Sequence, residues 1–136
     1  MRVVVTGATG FIGHALVDAL RARGDQVVVL ARDAARAKQQ LGDIEAITAD
    51  LENQGPWWDA LNGTDAIIHL AGESLSGKRW DARQKQKIRD SRVESTRTIV
   101  EAIEKAEPRP RVLITASGVD YYPSALSDSE WDDDEY

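Results

Sequence analysis

Three glycines follow one another at intervals of three in the segment TGATGFIG, at positions 7, 10 and 13. Such a series lets the backbone turn tightly and approach a phosphate group, whose charge is stabilised at the amino-terminal end of a helix. The third glycine lets that helix pack closely against the sheet. Because the spacing is GxxGxxG rather than GxGxxG, the interpretation depends on the segment lying between a strand and a helix. The segment therefore predicts a site for the pyrophosphate of a dinucleotide.

The segment SGVDYY, residues 117–122, contains a second group of reactive side chains. A serine can orient a carbonyl group and a tyrosine can donate a proton to it, provided that a neighbouring cation stabilises the phenolate. No Lys or Arg occurs after Arg111, so neither Tyr121 nor Tyr122 is followed in the sequence by a cation. We therefore interpret both tyrosines as packing or substrate-lining residues, and Ser117 as the candidate catalytic residue.

The elements that must position these residues are short apolar segments that alternate with helical ones. The apolar segments predict strands at 2–7, 26–31, 44–49, 65–71 and 111–117. Helices are predicted from the glycine segment to Gly24, at 34–41 and at 81–106, with a weak helical turn at 56–61. Strands that are apolar throughout are buried on both faces, and helical connections between them indicate a parallel sheet. The chain is therefore predicted to have an α/β fold with a doubly wound parallel sheet.

Side-chain periodicity also predicts which helix faces are buried. In the first helix the apolar residues at helical spacing are Ile12, Ala15, Leu16, Ala19 and Leu20. In the long helix at 81–106 they are Ile88, Val93, Ile99, Val100 and Ile103. His69, near the end of the fourth strand, is interpreted as a packed, hydrogen-bonded residue, and Trp57 and Trp58 as a hydrophobic anchor beneath the helical turn.

The net charge of −6 is unevenly distributed along the chain. All 17 basic residues and 16 of the 23 acidic residues lie at or before Arg111, so residues 1–111 have a charge of about +1. The other seven acidic residues lie in 112–136. We predict a folded domain at 1–122 and a solvated acidic segment at 123–136. A nearly neutral body with an acidic end argues against nucleic acid as a partner.

Residue types that are absent or scarce exclude further classes of site. Without cysteine, neither a disulfide nor a thiolate ligand is available, which is typical of a protein in the reducing cytoplasm. His14 and His69 do not have the spacing of a metal-binding motif. No apolar segment approaches the roughly 20 residues that span a bilayer, and Met1 leads into a strand rather than a signal peptide. We expect a cytoplasmic protein without a metal site or a membrane-spanning segment.

TGATGFIG resembles the usual opening of one branch of the short-chain dehydrogenase/reductase superfamily, the extended and atypical NAD(P)-binding epimerases. AGESLSGKRW and KIRDSRVEST are similar to segments of a narrower group, the epimerase-family proteins of the 39U type, which read AGEN, RRW and SR with a T shortly after. The resemblance covers nearly all of this chain but only about the first half of a family member, so the domain at 1–122 is expected to be truncated relative to the family. It implies a Rossmann-type sheet with the strand order 3-2-1-4-5.

The end of the second strand bears on the identity of the cofactor. In an NAD site of this fold, an acidic residue accepts hydrogen bonds from the adenosine ribose. Arg32 occupies that place in LARD, and a guanidinium group attracts a 2′-phosphate but cannot accept a hydrogen bond. The sequence therefore favours NADP(H), although Asp33, one residue later, leaves NAD as an alternative.

The residues and the resemblance together predict cofactor contacts in the glycine segment, at the strand ends and on the long helix. They are Gly7, Thr9, Gly10, Phe11, Ile12, Gly13, Ala31, Arg32, Asp50, Leu51, Leu70, Ala71, Gly72, Glu73, Lys87 and Arg92. The resemblance implies that Asp50 meets the adenine amine, that Glu73 faces the substrate, and that Arg92 and Lys87 lie near the phosphates or ribose. The alternatives are ordinary strand-end loops around Asp50 and Ala71, and a solvated helix face for Lys87 and Arg92.

These features predict the NADP(H)-binding domain of an oxidoreductase or epimerase that acts on an unknown carbonyl or sugar-like small molecule. The YxxxK signature of the family would lie beyond Tyr136, so this chain alone is expected to be inactive. The alternatives are a non-catalytic nucleotide-sensing or interaction module, and an inactive fragment of a longer enzyme. A fifth strand left at the edge of the sheet also favours either a homodimer or an unstable fold.

Overall fold

The computed structural model describes residues 1–73 and 81–116 of the chain. The strands in this part are Arg2–Thr6 (β1), Gln26–Ala31 (β2), Glu45–Thr48 (β3), Ala66–His69 (β4) and Val112–Thr115 (β5). The helices are Phe11–Ala22 (α1), Ala34–Leu41 (α2) and Ala82–Lys105 (α3), with a 3₁₀ helix at Pro56–Leu61. The predicted strands and helices are confirmed, with small differences at their ends. Ser117, Tyr121, Tyr122 and the acidic segment 123–136 lie outside the described residues.

The strands pair in parallel in one five-stranded sheet with the order β3-β2-β1-β4-β5. Val4 in the central strand β1 is aligned with Val28 of β2 and with Ile67 of β4. The doubly wound α/β fold and the strand order implied by the resemblance are therefore confirmed.

The central strands are covered on both faces, as their continuous apolar residues require, whereas Val112 and Ile114 of the edge strand β5 are half exposed. The layer that α1 and α2 form with one face contains Val3, Val5, Val17, Leu20, Val27, Val29, Ala37 and Leu41. The layer that α3 and the 3₁₀ helix form with the other face contains Val4, Val28, Leu30, Trp57, Leu61, Ile67, Ile99 and Ala102. Successive residues of a strand thus enter opposite layers, and each fully buried large apolar side chain contributes about 1.5–3 kcal/mol of transfer free energy.

The functional edge of the sheet follows from its connectivity. From β1 the chain adds β2 and β3 on one side, and then returns to place β4 and β5 on the other. In such a sheet a crevice opens between the two oppositely directed halves, at the carboxyl ends of the strands. Gly7 follows β1 and Leu70 follows β4, so both segments that the sequence singled out border this crevice.

The buried face of α1 agrees with the predicted one only in part: Leu20 is buried and Leu16 packs against the core, as expected, but the other predicted residues do not. Its buried residues are Gly13, Val17 and Leu20, whereas Ile12 is 66% exposed. Ala15 and Ala19 are also exposed. Gly13, in the first turn of the helix, packs against Gly7 and Ala8 of the glycine segment, and the face that continues from it through positions 17 and 20 is the buried one. Apolar periodicity could not show this because glycine has no side chain to count.

The buried face of α3 was also predicted incorrectly in part. Ile99 is buried, but Val93 and Val100 are 38% and 40% exposed, and polar Ser95 and Thr98 take places in the core. Both hydroxyls donate to the backbone carbonyl four residues earlier, which satisfies them and lowers the cost of burial.

No helix in the described ranges is both long and apolar enough to cross a membrane.

Candidate functional site

A groove of about 320 Å³ runs along the carboxyl edge of the sheet. The predicted residues that line it are Gly7, Thr9, Gly10, Ala31, Arg32, Asp50, Leu51, Leu70, Ala71, Gly72 and Glu73. The sequence did not single out Ala8, Leu30, Ala49, Glu52, Ser91 and Ser95, which also line it. Ser91 and Ser95 are one helical turn apart on α3, and this spacing of two small hydroxyl residues was the available signal.

Close backbone packing makes glycine necessary at two positions of the glycine segment. Gly7 has φ +68°, and a Cβ atom there would lie 2.6 Å from the carbonyl carbon of Leu70. A Cβ atom on Gly13 would lie 2.2 Å from the carbonyl oxygen of Gly7. The segment is therefore pressed between the end of β4 and the first turn of α1, which brings its backbone into the groove.

The amino-terminal end of α1 suits an anion. Its N-cap is Gly10, which provides no side-chain hydrogen bond, and its first turn contains no acidic residue. In contrast, the Asp33 side chain caps α2 and the Asp81 side chain caps α3. The first amide groups of a helix lack partners within the helix and carry a partial positive charge. At α1 they are left for a ligand in the groove.

Phe11 and Ile12 do not line the groove, although the sequence suggested cofactor contacts for both. Their side chains are 98% and 66% exposed, and Gly13 is buried beneath the segment. Any contact that these three residues make with a ligand in the groove would therefore involve their backbone amides.

Arg32 and Asp33, the two residues that follow β2, have different roles. Arg32 is exposed and lines the groove. Asp33 uses Oδ1 to accept a hydrogen bond of 2.9 Å from the backbone amide of Arg36, as the N-cap of α2. The Asp33 carboxylate, which was the reason to consider NAD as the cofactor, thus has a structural role as the N-cap of α2.

Hydrogen bonds of two side chains, Asp50 and Trp57, fix the loop that follows β3. The Asp50 carboxylate accepts from the Glu52 amide at 3.1 Å and from Asn53 Nδ2 at 2.8 Å. The buried indole of Trp57 donates from Nε1 to the carbonyl oxygens of Asp50 and Asn53, at 3.1 and 3.2 Å. Trp57 is thus more than the predicted hydrophobic anchor, because it fixes the loop that brings Asp50 and Leu51 to the groove.

We expect Trp57→Phe to lower the free energy of unfolding by about 1–2 kcal/mol, because two partly buried hydrogen bonds from the indole to backbone carbonyl groups are lost. Urea denaturation followed by circular dichroism measures this loss. Trp58→Phe is the matched control, since Trp58 Nε1 is buried with no hydrogen-bond partner among the described residues and its removal breaks no bond. Equal losses in the two variants would show that aromatic volume, rather than the indole donor, holds the loop.

The segment after β4 is fixed to α3 at the rim of the groove. The Glu73 amide donates to Ser91 Oγ at 3.0 Å, and Arg92 Nη1 donates to the Glu73 carbonyl at 3.3 Å. A Cβ atom on Gly72 would lie 3.1 Å from Arg92 Cζ. Arg92 thus lies against the outer side of Gly72 and is not part of the groove wall. Lys87 is exposed on α3 and does not line the groove.

His69, which the sequence predicts to be packed and hydrogen-bonded, is buried next to Ser95 of the groove wall. The ring of His69 is 4% exposed, with Nδ1 at 2.7 Å from Thr6 Oγ1 and Nε2 at 3.0 Å from Ser95 Oγ. Burial lowers the pKa of His69 below its ordinary value of 6.5. The ring therefore links β1 to α3 as a neutral group at neutral pH.

Comparison with known proteins identifies a family and a number of similar chains. Residues 3–136 match the NAD dependent epimerase/dehydratase family. The chain is 38% identical over 124 residues to an Arabidopsis thaliana protein named epimerase family protein SDR39U1 homolog, chloroplastic, and the match covers 90% of this chain and 35% of that protein. This chain therefore spans little more than a third of the length of that relative.

Two solved structures extend the comparison. The human epimerase family protein SDR39U1, isoform 2, solved with NADPH, is 34% identical with a TM-score of 0.73, over 93% of this chain and 40% of that one. A short-chain dehydrogenase/reductase superfamily protein from Agrobacterium tumefaciens with bound NAD is 27% identical with a TM-score of 0.71, over 90% of this chain and 34% of that one. Both neighbours were solved with nicotinamide dinucleotides, one with a 2′-phosphate and one without.

Proposed function

We propose that this chain, which belongs to the NAD dependent epimerase/dehydratase family, binds NADP(H) in the groove at the carboxyl edge of its sheet. The observation that supports this most directly is the glycine segment, whose backbone is pressed into the groove beside a helix start that no side chain caps. A pyrophosphate fits this position because the amide groups there supply both hydrogen bonds and partial positive charge.

The rest of the groove provides the other contacts that such a ligand needs. Asp50 and Leu51 border the space for the adenine ring, and Arg32 lies at the end of β2, where a 2′-phosphate would be placed. The segment from Leu70 to Glu73 offers small side chains and backbone to the nicotinamide end. When bound, the nicotinamide ring supplies hydride transfer.

We further propose that the complete protein is an oxidoreductase or epimerase acting on a carbonyl or sugar-like substrate. Family membership supports this reaction class, and the extent of the match with longer relatives supports the expectation that this chain provides the nucleotide-binding part. Ser117, the catalytic candidate, lies outside the described residues. The proposed role of the chain by itself is to bind and orient the dinucleotide.

The test is a titration of the purified chain with NADPH, followed by energy transfer from tryptophan to the reduced nicotinamide and by calorimetry. We expect saturable binding with one site for each chain. Competition by 2′,5′-ADP, but much weaker competition by 5′-AMP, would show that the adenosine half with its 2′-phosphate is recognised. Absence of both energy transfer and heat at millimolar NADPH would exclude the proposed site.

A further inference from the structure

We infer that His69 is a positioning residue for this groove. As a neutral imidazole with its hydrogen on Nε2, it joins the glycine segment, the end of β4 and α3 through one chain of hydrogen bonds. The inference rests on the proposed nucleotide site, and it identifies His69 as the residue that holds the walls of that site in position. His69 itself does not line the groove, so it acts through its neighbours.

The direction of each hydrogen bond follows from its two ends. Ser95 Oγ donates to the carbonyl oxygen of Ser91, so it can only accept from His69 Nε2. Nε2 therefore bears the hydrogen, and Nδ1 accepts from the hydroxyl of Thr6 at 2.7 Å. Thr6 Oγ1 in turn accepts from the backbone amide of Ala71 at 3.2 Å. The other neutral tautomer would leave the Thr6 hydroxyl hydrogen without an acceptor among these contacts.

This chain of bonds joins three parts of the groove wall. Thr6 immediately precedes Gly7, and the Ala71 amide that it holds belongs to the segment after β4. Ser95 lines the groove from α3, and Ser91, one turn earlier, accepts a hydrogen bond from the Glu73 amide at 3.0 Å. If the imidazole is lost, the proposed pyrophosphate and nicotinamide subsites lose the bonds that connect them.

A proton added to His69 would disrupt the chain. With a hydrogen on Nδ1 the ring would become a donor to Thr6 Oγ1, which already accepts from Ala71, and the hydrogen of the Thr6 hydroxyl would lose its acceptor among these contacts. The residues that form hydrogen bonds with the ring, Thr6 and Ser95, are uncharged, and so is Thr115, which is aligned with His69 in the neighbouring strand β5. The ionisable side chains that line the groove, none of them fully buried, are Arg32, Asp50, Glu52 and Glu73, and Arg92 lies beside Gly72. Burial is therefore the main influence on the pKa of His69, and burial favours the neutral form of the ring.

Three variants separate the possible roles of the ring. His69→Leu removes both hydrogen bonds, and we expect it to raise the Kd for NADPH about fivefold at pH 7.5. Ser95→Ala breaks one link and should raise Kd about threefold, and the double variant should be no weaker than His69→Leu because both changes cut the same chain. His14→Gln is the control, since His14 lies on α1 and does not line the groove.

His69→Gln tests the proton. Glutamine can accept from Thr6 and donate to Ser95 but does not titrate near neutral pH, so we expect affinity close to that of the original chain at pH 7.5. Below pH 6.5 the original chain should lose affinity relative to this variant. The ratio of the two Kd values removes the contribution of the 2′-phosphate, which titrates equally in both. If the ratio does not change with pH, or His69→Leu binds NADPH within twofold of the original chain, the inference is wrong.

A measurement without nucleotide keeps this inference distinct from the proposed function. Hydrogen exchange at the Ala71 amide should accelerate in His69→Leu and Ser95→Ala but not in His69→Gln, and ¹⁵N NMR should show the Nε2–H tautomer at neutral pH. If the original chain fails to bind NADPH while these signatures appear, the proposed function fails and the positioning network stands. If His69→Leu does not fold, Ser95→Ala provides the same comparison. Unchanged exchange in a folded variant would overturn the inference in either case.

Discussion

Gly13→Ala is expected to lower the free energy of unfolding by about 3 kcal/mol, which is near the upper end for an added methyl group in a packed site, and to abolish NADPH binding. The new Cβ atom would lie 2.2 Å from the carbonyl oxygen of Gly7 and 2.7 Å from Ala8 Cα. Both obstacles are backbone atoms, so no side-chain rotation can relieve the overlap. The first turn of α1 must move away from the glycine segment, and this movement withdraws the amide groups that we propose bind the pyrophosphate.

Urea denaturation and an NADPH titration measure the two effects of Gly13→Ala separately. Gly10→Ala is the control for stability, because its Cβ atom would be 3.2 Å from the nearest obstacle and its φ of −80° suits any residue. We expect the control to change stability by less than about 1 kcal/mol. If Gly13→Ala lowers the free energy of unfolding as little as Gly10→Ala does, the segment tolerates a shift of α1. Close packing then does not require glycine at position 13.

The fold could be predicted because its signals are local. Residues 27–31 of the second strand are apolar at every position, which requires cover on both faces, and Pro108 and Pro110 end the last helical pattern before β5. The strand order could not be obtained from these signals alone. It came from the resemblance of the glycine segment and of AGESLSGKRW to a known family.

The site could be predicted only in part, because sequence spacing places a residue on an element without giving the direction of its side chain. Arg32 and Asp50 follow strands and line the groove, whereas Phe11, Lys87 and Arg92 do not. The partners of His69 lie 63 and 26 residues away in sequence. The expected packed, hydrogen-bonded histidine is confirmed, but its link between two walls depends on the folded sheet.

Arg32→Ala is expected to raise the Kd for NADPH about thirtyfold at low salt and the Kd for NADH less than twofold, since a hydrogen bond to a charged group contributes about 1.5–3 kcal/mol. The guanidinium is exposed at the end of β2, so screening should reduce the effect as the ionic strength rises. Parallel calorimetric titrations with the two nucleotides measure this difference.

Two neighbouring variants determine whether the selectivity belongs to Arg32 itself. Arg36→Ala removes an exposed cation one turn along α2 that does not line the groove, and should change either Kd by less than about threefold if only general charge attraction is lost. Asp33→Asn keeps an N-cap that can accept from the Arg36 amide and should leave NADH binding unchanged, because the carboxylate serves α2 rather than a ribose. A large loss of NADH affinity in Asp33→Asn would instead identify an NAD site, and equal losses for both nucleotides in Arg32→Ala would remove the assignment of Arg32 to the 2′-phosphate. The single arginine at the end of β2 would then have no part in choosing the cofactor.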